Sequence, residues 1–183
     1  IAGDDEGGDG PELGAPGAAP EAVEGGASAA PGAAVTAREA LAAHNRERQS
    51  VGRPPLAWSE ALRARAADWA RHLCRGGRGV RPLEHRPARY GDPGENLWQA
   101  MATGAADFPV AEAVAGWAAE RRFYNPRSGA CKGGVCGHYT QLVWRDTTHV
   151  GCGTAKCTAG AFTATIWVCN YRPAGNVVGE RPF

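Results

Sequence analysis

Apolar residues fall along the chain in two different rhythms. From Thr36 to about Ser50 the pattern predicts a helix with Leu41 as its main apolar anchor, broken by Pro54-Pro55. Ser59 is a suitable N-cap for a second helix, in which Leu62, Ala66, Trp69 and Leu73 recur at spacings of four, three and four. Residues 75–94, rich in Gly, Pro and Arg, read as a long surface loop. A third helix is predicted from about Phe108 to Arg122, with Val110, Val114 and Trp117 on one face. After a loop at 125–134 the composition turns to Thr, Val, Tyr and Trp, which predicts strands at 139–144, 150–156 and 162–171. In the last of these, Phe162, Ala164, Ile166 and Val168 face one way and Thr163, Thr165, Trp167 and Cys169 the other. Both sets are fairly apolar, as in a central strand covered on both faces. Helices first and strands later predict an α+β fold with helices layered on a largely antiparallel sheet.

Composition divides the chain in two. Residues 1–35 are Gly, Ala, Pro and acidic residues with few sizeable apolar side chains, and are expected to form a disordered tail or spacer. Residues 36–183 hold all six Trp and all six Cys, enough for one core. The chain opens at Ile1 with no initiator Met or signal peptide, and is read as a mature or truncated form of a longer precursor. No apolar run reaches membrane-spanning length, so a transmembrane protein is not expected.

The formal charge of +1 hides an asymmetry. Seven acidic residues and no Lys or Arg lie in the tail, which leaves the rest of the chain near +8. That surplus reads either as attraction to an anionic surface or as a solvated, Arg-rich exterior. The lack of any tight basic run favours the second and gives no sign of nucleic-acid binding.

Cys74, Cys131, Cys136, Cys152, Cys157 and Cys169 are even in number, and no two are spaced as Cys-x-x-Cys. Disulfides are therefore favoured over a zinc site, and with them a secreted, extracellular or periplasmic location. Spacing alone leaves all 15 pairings open. No nucleophile elbow, zinc-protease helix or phosphate-binding loop is present. The remaining chemistry is His85, Glu95, Glu120 and His138, among Gly, Asn and aromatic residues. Glu120 follows Trp117 by three residues, so the two share a helix face.

The run Gly137-His138-Tyr139-Thr140-Gln141-Leu142-Val143-Trp144 resembles the first signature of the CAP superfamily, which comprises cysteine-rich secretory proteins, antigen five and the plant pathogenesis-related-one group. Further boxes follow in the family's order: His44-Asn45 with Leu56-x-Trp58, Gly94-Glu95-Asn96-Leu97, Trp117-x-x-Glu120-x-x-x-Tyr124, and Val168-Cys169-Asn170-Tyr171 with Pro173-x-Gly175-Asn176-x-x-Gly179. The resemblance covers essentially residues 36–183 and implies a three-layer α-β-α sandwich. Its plant-type cysteine pattern implies bridges Cys74–Cys157, Cys131–Cys136 and Cys152–Cys169. It also implies that His85, Glu95, Glu120 and His138 converge in a cleft, where His85 and His138 would bind Zn2+ or another divalent cation. The implied role is that of a sterol-, fatty-acid- or protein-binding module in defence, rather than an enzyme. The rival is a metal-dependent hydrolase with Glu95 or Glu120 as general base. Arg86 after His85, Ala174 in the last box and the terminal Phe183 depart from the family's usual Ser, Pro and Tyr.

Overall fold

A computed structural model describes residues 31–75, 79–89, 91–104 and 107–183. The elements run α1 (Pro31–Ser50), β1 (Ala57–Trp58), α2 (Glu60–Leu73), β2 (Gly94–Thr103), α3 (Val110–Ala119), β3 (Tyr124–Asn125), β4 (Ala130–Cys131), α4 (Gly137–Leu142), β5 (His149–Ala159) and β6 (Phe162–Arg172). A 3-10 turn, Glu120–Phe123, follows α3 directly. The main sheet has the order β1-β5-β6-β2, with β1 parallel to β5 and every other pairing antiparallel.

The expected central strand is β6. Its Trp167, Cys169 and Tyr171 join a core with residues of α1, α3 and α4, while Ala164, Ile166 and Val168 join a second core beneath α2. Two buried faces produce the three layers. On α2, Leu62, Ala66, Trp69 and Leu73 are all buried, and the Ser59 hydroxyl accepts from the Leu62 amide as the N-cap. Burying each large apolar side chain contributes about 2 kcal/mol. The helix comes this close because β5 presents glycine to it. A Cβ at Gly151 would sit 2.2 Å from the Arg63 amide nitrogen, and one at Gly153 2.2 Å from that of Ala67.

Three expectations need adjustment. Residues 1–30 of the expected tail lie outside the described residues, and α1 starts at Pro31, five residues before the expected helix start at Thr36. Its buried stripe is Ala40, Ala43, His44 and Arg48, with Leu41 only partly covered at the margin. The helix ends at Ser50, and Gly52, with a positive φ of 69°, lets Arg53 donate back to the Arg48 carbonyl at 2.9 Å, ahead of the two prolines. Finally, 139–144 is not a strand: Gly137–Leu142 is helical. Tyr139, Leu142 and Val143 are spaced three and four apart and all face the core, a helical rhythm that outweighs their β propensity.

All six cysteines are paired, as Cys74–Cys157, Cys131–Cys136 and Cys152–Cys169. The first ties the end of α2 to β5 and the third joins register partners on β5 and β6, so each core carries one bridge.

Candidate functional site

The four candidate side chains sit at the β2 edge of the sheet in two His–Glu pairs. Glu95 is the second residue of β2 and faces Asn170 of β6 in register. Its Oε1 lies 3.0 Å from His85 Nδ1 and accepts the Arg86 amide at 3.0 Å, while Oε2 accepts from Asn170 Nδ2 at 3.3 Å. His85 comes from the loop between α2 and β2, which α2 holds down. Trp69 Nε1 donates to the Glu84 carbonyl at 3.0 Å, Arg86 pairs with Asp68 at 2.9 Å, and its guanidinium lies over the Trp69 ring at 5.7 Å. The Arg86 that departs from the family pattern is therefore part of the clamp beside His85.

Glu120 is the first residue after α3. Its Oε1 lies 2.7 Å from His138 Nδ1, and its Oε2 accepts the backbone amides of His138 and Tyr139 at 3.0 and 3.4 Å. Those amides belong to the first turn of α4, where Cys136 at the N-cap position makes no side-chain cap. Glu120 thus satisfies otherwise orphaned helix donors and fixes the imidazole with one carboxylate. Trp117 lies over the His138 ring at 6.3 Å between centroids, so the shared helix face of Trp117 and Glu120 is aimed at one histidine.

Hydrogen bonds run within each pair and none joins one pair to the other. The pairs are linked through β2: Asn96, next to Glu95, donates from Nδ2 to the His138 carbonyl at 3.0 Å and to the Tyr171 hydroxyl at 3.3 Å. Tyr171 in turn meets His44 Nε2 at 2.9 Å, and His44 Nδ1 lies 2.7 Å from the Ala40 carbonyl. A fully buried polar chain thus runs from α1 to the backbone of His138. Desolvation of His44 lowers its pKa to about 4. At the other pair, the hydrogen bond that His85 donates to Glu95 raises the pKa of His85 above the ordinary imidazole value, with burial opposing.

The exposures differ in a way that matters. His85 and His138 side chains are 61% and 29% exposed, whereas Glu95 and Glu120 are 9% and 18%. The imidazoles face outward and the carboxylates lie behind them. With each Nδ1 engaged, Nε2 is the ring nitrogen left for a ligand. Such carboxylate–imidazole pairing orients metal-binding histidines and fixes their tautomer. A second cluster, His44 with Cys152 and Cys169, places three ligand atoms within 4.8 Å of one another. Its two sulfurs are bonded to each other and both His44 nitrogens have partners, so these atoms are not available to a metal.

Several residues that build the site carry no obvious chemistry in the sequence. Asn96 and Asn170 stand inside two of the signature boxes, which is the only signal that marked them. Arg48 is buried, with Nη1 donating to the Leu142 and Trp144 carbonyls at 3.1 and 2.9 Å and Nη2 to that of Thr147 at 3.0 Å. It anchors the segment that follows α4.

Residues 41–171 match the family described as the cysteine-rich secretory protein family, CAP. The chain is 41% identical over 143 residues to the basic form of pathogenesis-related protein 1 of Nicotiana tabacum, covering 76% of this chain and 71% of that one. It is 42% identical over 144 residues to pathogenesis-related leaf protein 4 of Solanum lycopersicum, covering 78% and 80%. Among solved structures, the venom allergen-like protein 4 of Schistosoma mansoni aligns with a TM-score of 0.60 at 25% identity, over 81% of this chain and 93% of that one.

Proposed function

Since the chain belongs to the cysteine-rich secretory protein (CAP) family, we propose that it is an exported, defence-related binding protein. Its cleft takes a divalent cation on Nε2 of His85 and Nε2 of His138. The observation that carries this reading is the paired geometry: each Nδ1 rests on a largely buried carboxylate, at 3.0 and 2.7 Å, and each Nε2 is left outward. The donor set suits the group, because two neutral imidazoles backed by carboxylates are a common zinc-binding arrangement. A bound ion of that kind would supply a Lewis-acidic centre at the mouth of the cleft. The three disulfides support an oxidising, extracellular setting.

The carboxylates favour binding over hydrolysis. Glu95 receives an imidazole, a backbone amide and an Asn amide, and Glu120 receives an imidazole and two backbone amides. Groups committed in this way hold imidazoles in place and are poorly placed to act as a general base. Calorimetric titration with zinc chloride tests the reading. Binding near one equivalent is expected, and a His85→Ala, His138→Ala double variant that binds zinc with unchanged affinity would refute it.

A lipid ligand is the second reading: a cavity of about 450 Å³ between α1, the start of α3 and the sheet has Pro109, Val110 and Trp167 in its wall, beside the polar Thr36, Glu39, Asp107, Thr154 and Lys156 that would face a ligand's headgroup. A sterol-binding assay on the purified protein separates the two: saturable binding that is unaffected by zinc supports it.

A further inference from the structure

The basic surplus of the domain forms no run in the sequence, yet the fold gathers part of it into one trough beside α2. Three cavities, of about 420, 460 and 170 Å³, share Arg65 in their walls. The cavity of about 420 Å³ is lined by Arg65, Arg172, His149 and Ser59 over an apolar floor that includes Leu62 and Pro93, with no carboxylate among the described residues that line it. From Arg65 the trough continues past Arg86 and Arg89 towards His85.

The acidic groups along this path are few and already engaged. Asp92 takes Arg65 Nη2 at 3.1 Å and the Arg89 amide at 2.7 Å. Asp68 takes Arg86, and Glu95 takes His85. Arg65 Nε is buried without a hydrogen-bond partner, so the cation at the junction is only partly satisfied. Among the described residues Arg172 has just one long contact, from Nη2 to the Gly91 carbonyl at 3.4 Å. Thr148 Oγ1 lies 2.8 Å from His149 Nδ1, which leaves Nε2 as the ring nitrogen free to meet a ligand.

We propose that this trough binds a chain of acidic sugar units, with Arg65 and Arg172 gripping successive carboxylates. Guanidinium forks match the planar carboxylate, and a concave wall with cations at intervals suits an extended polyanion. A membrane surface fits less well. Peripheral binding needs apolar side chains beside the charges, and among the described residues none of the exposed large apolar ones, such as Met101, Phe162 and Val178, lines the trough.

The test is calorimetric titration of the whole chain with oligogalacturonate at low ionic strength, without added metal. An Arg65→Gln, Arg172→Gln variant is compared with an Arg46→Gln, Arg127→Gln variant, which removes equal charge from exposed sites elsewhere. Expected are saturable binding by the parent, about tenfold weaker binding by the trough variant and a change within about twofold in the control. If the double variant fails to fold by circular dichroism, Arg172→Gln alone carries the test, with a loss of about threefold. No binding by the parent overturns the proposal, as does an equal loss in both variants. So does trough-dependent binding to phosphatidylserine vesicles without any to the sugar acid.

Discussion

Acidification should destabilise this protein through one residue, His44. It is fully buried between Ala40 and Tyr171, and its pKa falls from 6.5 to about 4 in the folded chain. Above pH 6.5 the imidazole is neutral in both states and makes no pH-dependent contribution. Between 6.5 and about 4 the unfolded chain takes a proton that the folded chain refuses, so stability falls as the pH drops. Below about 4 the penalty is complete. A gap of about 2.5 pH units corresponds to about 3 kcal/mol, a large share of the 5 to 15 kcal/mol typical of a domain. Urea unfolding followed by tryptophan fluorescence at pH 7, 5.5 and 4 measures it. The comparison is His44→Gln, which is less stable at pH 7 but should lose about 3 kcal/mol less than the parent between pH 7 and 4. Parallel losses in both proteins would show that His44 does not carry the effect.

Gly153→Ala should cost at least about 2 kcal/mol in chemical or thermal unfolding, because its new Cβ meets the backbone of α2 at Ala67. A change below about 0.5 kcal/mol would mean that α2 is not held against β5. In the chain-entropy picture, paired Cys→Ser variants should rank by loop length. Cys74–Cys157, separated by 83 residues, is worth about 4.5 kcal/mol; Cys152–Cys169, by 17, about 3; and Cys131–Cys136, by 5, about 2. Unfolding midpoints that follow another order would count against loop closure as the main term. Arg48→Met should lose about 3 kcal/mol or more, since the Leu142, Trp144 and Thr147 carbonyls lose their buried donor; equilibrium unfolding checks this. Zinc affinity should weaken as the pH falls, starting above pH 6.5 because the Glu95 hydrogen bond makes protons compete harder for His85; calorimetry from pH 8 to 5.5 reads it, and a flat profile contradicts the assignment of His85 as a ligand.

The periodic parts of the fold were legible in the sequence. The α2 stripe and the two-faced alternation of β6 survive in the structure because apolar spacing alone sets which way those side chains point. The α1 stripe was hidden because its largest members, His44 and Arg48, are polar residues buried by hydrogen bonds. Hydropathy patterns do not register that kind of burial. The segment at 139–144 misled because β-branched and aromatic residues sat at helical spacing in a helix of one and a half turns. At the site, resemblance named the four side chains. The division into two pairs came only from β2, where consecutive residues Glu95 and Asn96 reach different partners. The trough was invisible for a similar reason, since Arg65 and Arg172 meet only after β6 folds back beside α2.

The central claim is that His85 and His138 present their Nε2 atoms to one divalent cation while Glu95 and Glu120 hold Nδ1. A crystal structure grown with zinc near pH 7.5, with anomalous data at the zinc edge, tests it most directly. The account predicts one peak bonded to Nε2 of both histidines, with each Nδ1 still on its glutamate. A peak on the carboxylates or on Nδ1, or zinc bound by only one of the two histidines, would contradict it.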